Sequence, residues 1–481
     1  MKYLVGSLVL MSSFVNADTW LTSSNRMAKN DIQFLASRSV ITTPITTFPI
    51  VWDTIIPQLR TVKSLTTAEE AAVNRLLNEY KRAKQYQVEA KLASDDVSLP
   101  ATADRQFENS SLNISKSFES EKIKVKLDAD LVNGSLAGSY FALEQSGWLF
   151  YLSQQEQFWG PGNDVSLIFS DYAEPAPAIG LQRASSDASD IPILSLLGPW
   201  SFKAQMAQLE SDRAVPNAKL WSARFNFRPA RSLEIGLTHV AQWGGDGFGN
   251  SPRDFWDVIS GKEYCVTGES TCDHSRMSKF GNQLAGIDFN LQINLLGSNA
   301  NFYGQTVGED APTNGVLPAD KVTMFGFSSH SVTEYGLLKM FVEAIDSNLS
   351  CGTDKSVKNC FYEHTAYQDG YRYKGIPIGS QYDNDSTSYV VGASLTNKSH
   401  YAEVKLKKLT LNEDSSDIQT LTGAGGHYLV REKTDLTIIE YSHQYDWSEN
   451  QRVKFDLQSK LKGTLPNEND HIIQVLYQHN F

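Results

Sequence analysis

From about residue 105 the chain alternates apolar and polar positions with a period of two. Ile123, Val125, Leu127, Ala129 and Leu131 interleave with Lys122, Lys124, Lys126, Asp128 and Asp130, and Asn133-Gly134 follows as a strong hairpin signal. Further runs of this kind cover Ala218–Arg228, Leu233–Trp243, Gln283–Ile293, Tyr335–Ile345, Tyr389–Asn397, Tyr401–Leu411, Leu436–Tyr445 and Arg452–Leu461. The last is Ile473, Val475, Tyr477, His479 and Phe481. Two kinds of connection alternate between the runs. Short ones fall near Arg228–Ser232, Leu295–Ser298, Ser331–Glu334, Asn397–Ser399 and Trp447–Gln451. Long ones fall near Gly244–Asn282, Gly308–Ala319, Asp346–Ser388 and Asn412–Lys433. Membrane barrels of the outer-membrane type have short periplasmic turns and long outside loops, an asymmetry that a soluble sandwich has no reason to keep. The pattern therefore predicts an all-β transmembrane barrel, with Phe481 ending on the periplasmic side. About 370 residues at roughly 20 per strand and link suggest an even number of strands, about 16 to 18. Between Tyr172 and Pro199 the boundaries are blurred by Pro175, Pro177 and Pro192.

Residues 18 to about 95 carry a helical period instead. A first helix through Ile32, Leu35 and Ala36 finds a cap in Asn30 or Asp31, and a second surrounds Trp52, Ile55, Ile56 and Leu59. The third opens at Thr66-Thr67-Ala68-Glu69-Glu70, a capping-box pattern, and lines up Val73, Leu76, Leu77 and Tyr80 on one face. So small a helical segment needs an apolar partner, and the periplasmic rim is the nearest candidate. Ahead of it, Lys2, the short apolar run to Met11 and Val15-Asn16-Ala17 form a secretory signal peptide with the mature chain expected near Asp18. The expected organisation is signal peptide 1–17, periplasmic helical bundle 18–104 and outer-membrane barrel 105–481.

Composition refines this picture. The mean hydropathy of −0.33 hides lipid-facing positions that alternate with lumen positions. The formal charge of −12 becomes −13 once Lys2 is removed, which argues against nucleic acid as a partner. Four cysteines in an exported chain point to disulfides, and spacing favours Cys265–Cys272 and Cys351–Cys360, each inside an outside loop. A metal site is the weaker alternative, because the nine histidines are dispersed along the chain.

Several short fragments resemble the capsule-assembly Wzi family, in that family's order and over nearly the whole chain. They are Asn30-Asp31-Ile32-Gln33-Phe34-Leu35-Ala36-Ser37-Arg38-Ser39-Val40-Ile41, Trp159-Gly160-Pro161-Gly162-Asn163-Asp164 and Leu197-Gly198-Pro199-Trp200. Leu209-Glu210-Ser211-Asp212-Arg213, Leu233-Glu234-Ile235-Gly236 and Gln242-Trp243-Gly244-Gly245 continue the series. Tyr303-Gly304-Gln305 with Gly308-Glu309-Asp310, and Gly370-Tyr371-Arg372-Tyr373, complete it. The resemblance implies an 18-stranded barrel closed at its periplasmic end by a helical bundle. It also implies a lectin that anchors exported capsular polysaccharide at the cell surface. It supplies no ligand-contact motif, and the cysteine pairs are not associated with the family.

Two loop clusters combine aromatic faces, which stack on sugar rings, with hydrogen-bonding side chains. The first holds Trp243, Asp246, Phe248, Arg253, Asp254 and Trp256; its alternative is that Trp243 belongs to the interfacial aromatic girdle. The second holds Tyr362, His364, Tyr367, Asp369, Tyr371, Arg372 and Tyr373; its alternative is a loop folded on the barrel mouth with its own small core. Asp383-Asn384-Asp385 lacks the spacing of a calcium loop and reads as a solvated turn. Gly423-Ala424-Gly425-Gly426 lacks the Gly-Lys-Ser/Thr of a phosphate cradle. There is no G-x-S-x-G elbow and no H-E-x-x-H helix. The expectation is a monomeric, non-enzymatic polysaccharide-binding protein without cofactor or metal, in contact with outer-membrane lipid and lipopolysaccharide. The competing reading is an oligosaccharide or acidic-sugar channel, if the lumen is open.

Overall fold

A computed structural model describes residues 18–96, 99, 109–260, 281–295, 298–309, 320–351, 357–364, 366–415, 427–466 and 468–481. The signal-peptide assignment lies outside these residues. Eighteen antiparallel strands follow one another in chain order and close into a barrel. They are β1 (Gln87–Ala93), β2 (Ser110–Glu119), β3 (Ile123–Asp130), β4 (Tyr140–Gln145), β5 (Trp148–Ser153) and β6 (Ala178–Arg183). Next come β7 (Trp200–Gln208), β8 (Lys219–Ala230), β9 (Leu233–Trp243), β10 (Gly281–Leu295), β11 (Ser298–Glu309) and β12 (Asp320–Thr333). The last six are β13 (Gly336–Asp346), β14 (Ser386–Thr396), β15 (His400–Leu411), β16 (Thr434–Asp446), β17 (Gln451–Lys462) and β18 (His471–Asn480). Closure pairs β18 with β1, from Asn480↔Gln87 to Gln474↔Ala93.

The period of two does what a membrane barrel requires, with the two faces exchanged relative to a soluble sheet. Outward positions such as Ile114, Val342, Val391 and Val475 are exposed, whereas inward positions such as Arg224, Glu234, Glu343 and Lys407 are buried. No helix among the described residues is long and apolar enough to cross a membrane. β4, β5 and β6 have only six residues each, while β10 has 15 and β12 has 14, so the wall is low on one side. Links at one end are short, at the other long, with one exception: residues 184–199 belong to the short-turn end and expose Ile191, Ile193 and Leu196.

Three expectations change. The barrel begins at Gln87 rather than at residue 105, because Gln87–Ala93 is needed to pair with the last strand; the helical segment is correspondingly shorter than 18–104. Asn30 and Asp31 are not caps: the first helix, α1 (Arg26–Ser37), is capped by Asn25, whose side chain accepts from Ala28 N, and both residues lie buried in its middle. Asn133-Gly134 does not close a two-residue hairpin; it sits in the broader link 131–139, where Gly134 N donates to Asp130 O at 2.9 Å.

The second and third helices, α2 (Trp52–Thr61) and α3 (Thr67–Arg82), complete the bundle. α3 carries the expected box, Thr66 N to Glu69 Oε2 at 2.8 Å and Glu69 N to Thr66 Oγ1 at 3.4 Å. Arg75 of α3 meets Asp31 of α1 through a two-pronged pair at 2.8 and 2.6 Å, with the Asp31 carboxylate fully buried. Arg82 reaches Glu449 O and Ser448 O in one short turn, and Arg75 reaches Asn397 O in another. The bundle thus sits on the short-turn end.

Breaking a buried ion pair by removing one partner leaves an uncompensated charge, worth about 3–5 kcal/mol. Arg75→Met should lower the stability of the detergent-refolded protein by that order, and Asp31→Leu with Arg75→Met should recover most of it. Urea titration followed by tryptophan fluorescence checks both; a loss under about 1 kcal/mol would show that the pair does not hold the bundle together.

Candidate functional site

The lumen is filled from both ends. From the short-turn end, residues 41–51 run along the wall, where Glu234 accepts from Ile45 N, Thr46 N and Thr46 Oγ1 at 2.7–3.0 Å. Arg224 donates to Asp288 at 2.6 and 3.0 Å and to Thr46 and Thr47. From the long-loop end, residues 154–177 fold inward, and Phe158–Trp159 pairs antiparallel with Thr47–Phe48. At the tip of this loop a Cβ on Gly162 would lie 1.9 Å from Val165 O, so only glycine fits. Glu343 receives the backbone N–H groups of Asn163 and Asp164. The Asp164 carboxylate lies 2.9 Å from Lys405 Nζ and 3.2 Å from Lys407 Nζ, and these cations hold it far below the usual carboxylate range against the effect of burial.

Over the mouth, the described residues between 347 and 385 form a lid with its own core, the alternative reading of the second cluster. Tyr362, Tyr367 and Tyr371 are at most 1% exposed, and Arg372 is 6% exposed. Arg372 donates to Glu363 at 2.6 Å and to both Asp383 oxygens at 2.8 and 2.9 Å, while its own carbonyl accepts from Arg213 at 3.1 Å. Tyr367 donates to Gly244 O at 3.1 Å and its ring lies 5.4 Å from that of Phe248. Burial pushes His364 down to about 4, so the neutral ring accepts from Ala366 N and Tyr367 N through Nδ1. Tyr367, Tyr371 and Arg372 therefore carry the lid rather than present faces to a sugar. Asp383, Asn384 and Asp385 form neither a solvated turn nor a cation loop: all three are buried, and Asp383 is a partner of Arg372.

The first cluster divides. Trp243 points away from the lumen, donates to Met206 Sδ at 3.2 Å and is covered by Phe255 at a ring distance of 5.0 Å. Phe255 belongs to a short helix, α4 (Pro252–Ile259), in which Asp254 is used in a capping box with Ser251. α4 lies on the outward face of the wall through Phe255 against Trp221 and Val258 against Ala241 and Trp243. Asp246, Arg253 and Trp256 remain exposed, Trp256 at 61%. Cys360 is buried and disulfide-bonded, and Cys351 opens the small ladder Ser350–Cys351 with Val357–Lys358. Cys265, Cys272 and the 423–426 glycine stretch lie outside the described residues.

One feature escaped the sequence reading. Beside the low wall the plug leaves a cavity of about 700 Å³. Its mouth is formed by the 133–138 link, Glu174, Tyr373 and Lys374, and its sides by Lys126, Asp128, Gln155 and Tyr172. Its floor is Asp18, Trp20, Glu79, Arg82 and Arg452. At the floor Arg452 meets Glu79 at 2.7 Å and Asp446 at 2.7 Å, and Arg82 also meets Asp446, which closes the short-turn end with an ion cluster. At the mouth Lys374 meets Glu174 at 2.5 Å. Of the residues singled out from the sequence, Tyr373 lines this well. The others come from the N-terminal segment, from links, or from strand positions such as Lys126 and Asp128, whose polar alternation marks a lumen position but no particular use of it. Among the described residues no cluster could hold a metal ion.

Burial, together with Asp414 and Glu413, pushes the Asp385 carboxyl up to about 7, against the hydrogen bond it accepts from Asp414 N. A group raised in the folded state stabilises it fully below its unfolded value of about 3.9, and that contribution fades as pH rises through about 7. The lid edge should therefore open more readily at pH 8 than at pH 6, beyond the intrinsic change in exchange rate. Hydrogen exchange at Glu413 N and Asp414 N measures it, and Asp385→Asn should abolish the pH dependence.

Comparison with known proteins agrees with this architecture. A family described as capsule assembly protein Wzi matches residues 68–470. An uncharacterised 55.8 kDa protein in the cps region of Klebsiella pneumoniae is 29% identical over 416 residues, 82% of this chain and 79% of that one. A solved structure of Escherichia coli Wzi covers 98% of this chain and 100% of its own, with 25% identity and a TM-score of 0.82. That protein is described as an outer-membrane protein involved in group 1 capsule assembly and a carbohydrate-binding β-barrel. With an eighteen-stranded barrel, an exposed apolar belt and a match over most of its length, this chain is an outer-membrane barrel that belongs to the capsule assembly protein Wzi family.

Proposed function

We propose that this protein is a non-catalytic lectin that holds exported capsular polysaccharide at the outer face of the outer membrane during capsule assembly. The observation that carries the reading is the meeting of two plugs in mid-lumen, Thr47–Phe48 against Phe158–Trp159, beneath a lid with a buried core. A barrel filled in this way has a surface on which a polymer can rest but no wide bore along which it can pass. The carbohydrate binding described for the Escherichia coli relative supports the same reading. The porin-like alternative requires an open lumen. Cys351 is the partner we assign to Cys360, as a staple that limits the freedom of the lid. We place Arg253 and Trp256 of α4 at the level of lipopolysaccharide headgroups, where an amphipathic aromatic ring is favoured. The protein needs no second copy for this role and is expected to work as a monomer.

A binding screen with detergent-solubilised protein should show retention of oligosaccharides cut from the producing strain's capsule; a protein that retains none is not a lectin. Planar-bilayer recording separates the alternative. The intact chain should conduct weakly, and removal of residues 18–86, which spares β1, should raise conductance severalfold. A high conductance in the intact protein would favour the channel.

A further inference from the structure

We infer that the well beside the low wall is the glycan site, and that it takes a neutral, hydroxyl-rich stretch of the polymer while charged sugars stay outside. This deepens the lectin reading and rests on it. The volume of about 700 Å³ falls in the range of roughly 300–1,000 Å³ that ligand sites occupy. The mouth lies at the long-loop end, where Asn133 and Lys374 are exposed, and the floor is closed by the Glu79–Arg452 ion cluster, so a chain can enter from outside but not leave below.

Two independent features describe the ligand. The first is an acceptor that waits for a donor: the Gln155 side chain is 5% exposed, lines the well, and its Oε1 has no hydrogen-bond partner. A buried carboxamide oxygen left unpaired is costly, and a sugar hydroxyl is a donor of the right kind. The second is the sign of the lining. Carboxylates outnumber cationic side chains eight to five, and four of the five cations, Lys126, Lys374, Arg452 and Arg82, already sit against Asp18, Glu174, Glu79 and Asp446. Carboxylates accept hydrogen bonds and cannot donate them, so the walls suit hydroxyl groups and repel uronates. Tyr373, 7% exposed, lines the mouth with part of its side chain.

Calorimetric titration of the full mature chain in detergent tests this. The probes are oligosaccharides of two to six sugars cut from the strain's own capsule, used as prepared and after chemical reduction of their carboxyl groups. The reduced forms should bind at least as tightly as the native ones. Gln155→Leu should weaken binding about five- to tenfold, the loss of one hydrogen bond to a buried acceptor, while Trp256→Ala on the outer rim should change it less than twofold. Because Gln155→Leu is a buried change, Asn133→Cys labelled with a bulky maleimide gives a second reading from an exposed position. The label should abolish binding, and the same label on Asp246→Cys should leave it intact. Binding that depends on the sugar carboxylates, or that survives the Asn133 label, overturns the assignment of the well while leaving the lectin reading in place. Absence of binding by every form overturns both.

Discussion

Many inward charges of this barrel lie where the plug has displaced bulk water, and there a charge needs a partner in the plug or on the wall. Glu234 and Glu343 are satisfied by backbone N–H groups of two different segments, at Ile45 and Thr46 and at Asn163 and Asp164. Arg224 is shared between Asp288 of the wall and Thr46 and Thr47 of the plug. Asp164 is carried to Lys405 and Lys407 by the loop that holds it. Removing the plug would leave these groups to water, and removing one partner would leave the other buried and unpaired. The closed lumen is therefore a condition of the wall's own composition.

The fragments that resemble the Wzi family acquire a physical meaning from this requirement. Trp159–Asp164 is the tip of the inward loop, and Gln305 receives Leu167 N and donates to Trp159 O. Arg213 donates to the carbonyls of Gly370 and Arg372, and Gln242 donates to Gly370 O. Three fragments, one of them far from the others in sequence, thus meet at the lid. These contacts dock plug and lid on the wall, and the sugar-facing surface is a separate matter: only Tyr373 among those fragment residues lines the well.

The low wall explains where the remaining space lies. β4, β5 and β6 are too short to carry the lid at the height that β10 and β12 reach, and the plug leans toward the tall side through Glu234, Asp288 and Glu343. What is left beside β3 is a deep, polar well whose floor is held shut by Arg82 and Arg452. A surface of this kind meets a polymer at its end or at a flexible stretch.

The sequence by itself determined the barrel, its orientation and most of its strands. Alternation of period two and the contrast between short and long links are local consequences of a wall with lipid on one side and a polar lumen on the other. It also determined the α3 capping box, because Thr66 and Glu69 lie within one turn. It misplaced the start of the barrel, because Gln87–Ala93 closes the wall through its pairing with β18 nearly four hundred residues later. The candidate tyrosines of residues 362–371 illustrate the same limit: aromatic faces in a loop read alike whether they bind a ligand or pack on each other, and only folding put Tyr371 against Tyr362 and Phe169. The well itself was invisible, since Asp18, Asp128, Gln155 and Tyr373 come from four separate segments. Local pattern decides which face a side chain shows; which faces enclose a space is decided by contacts that no local pattern contains.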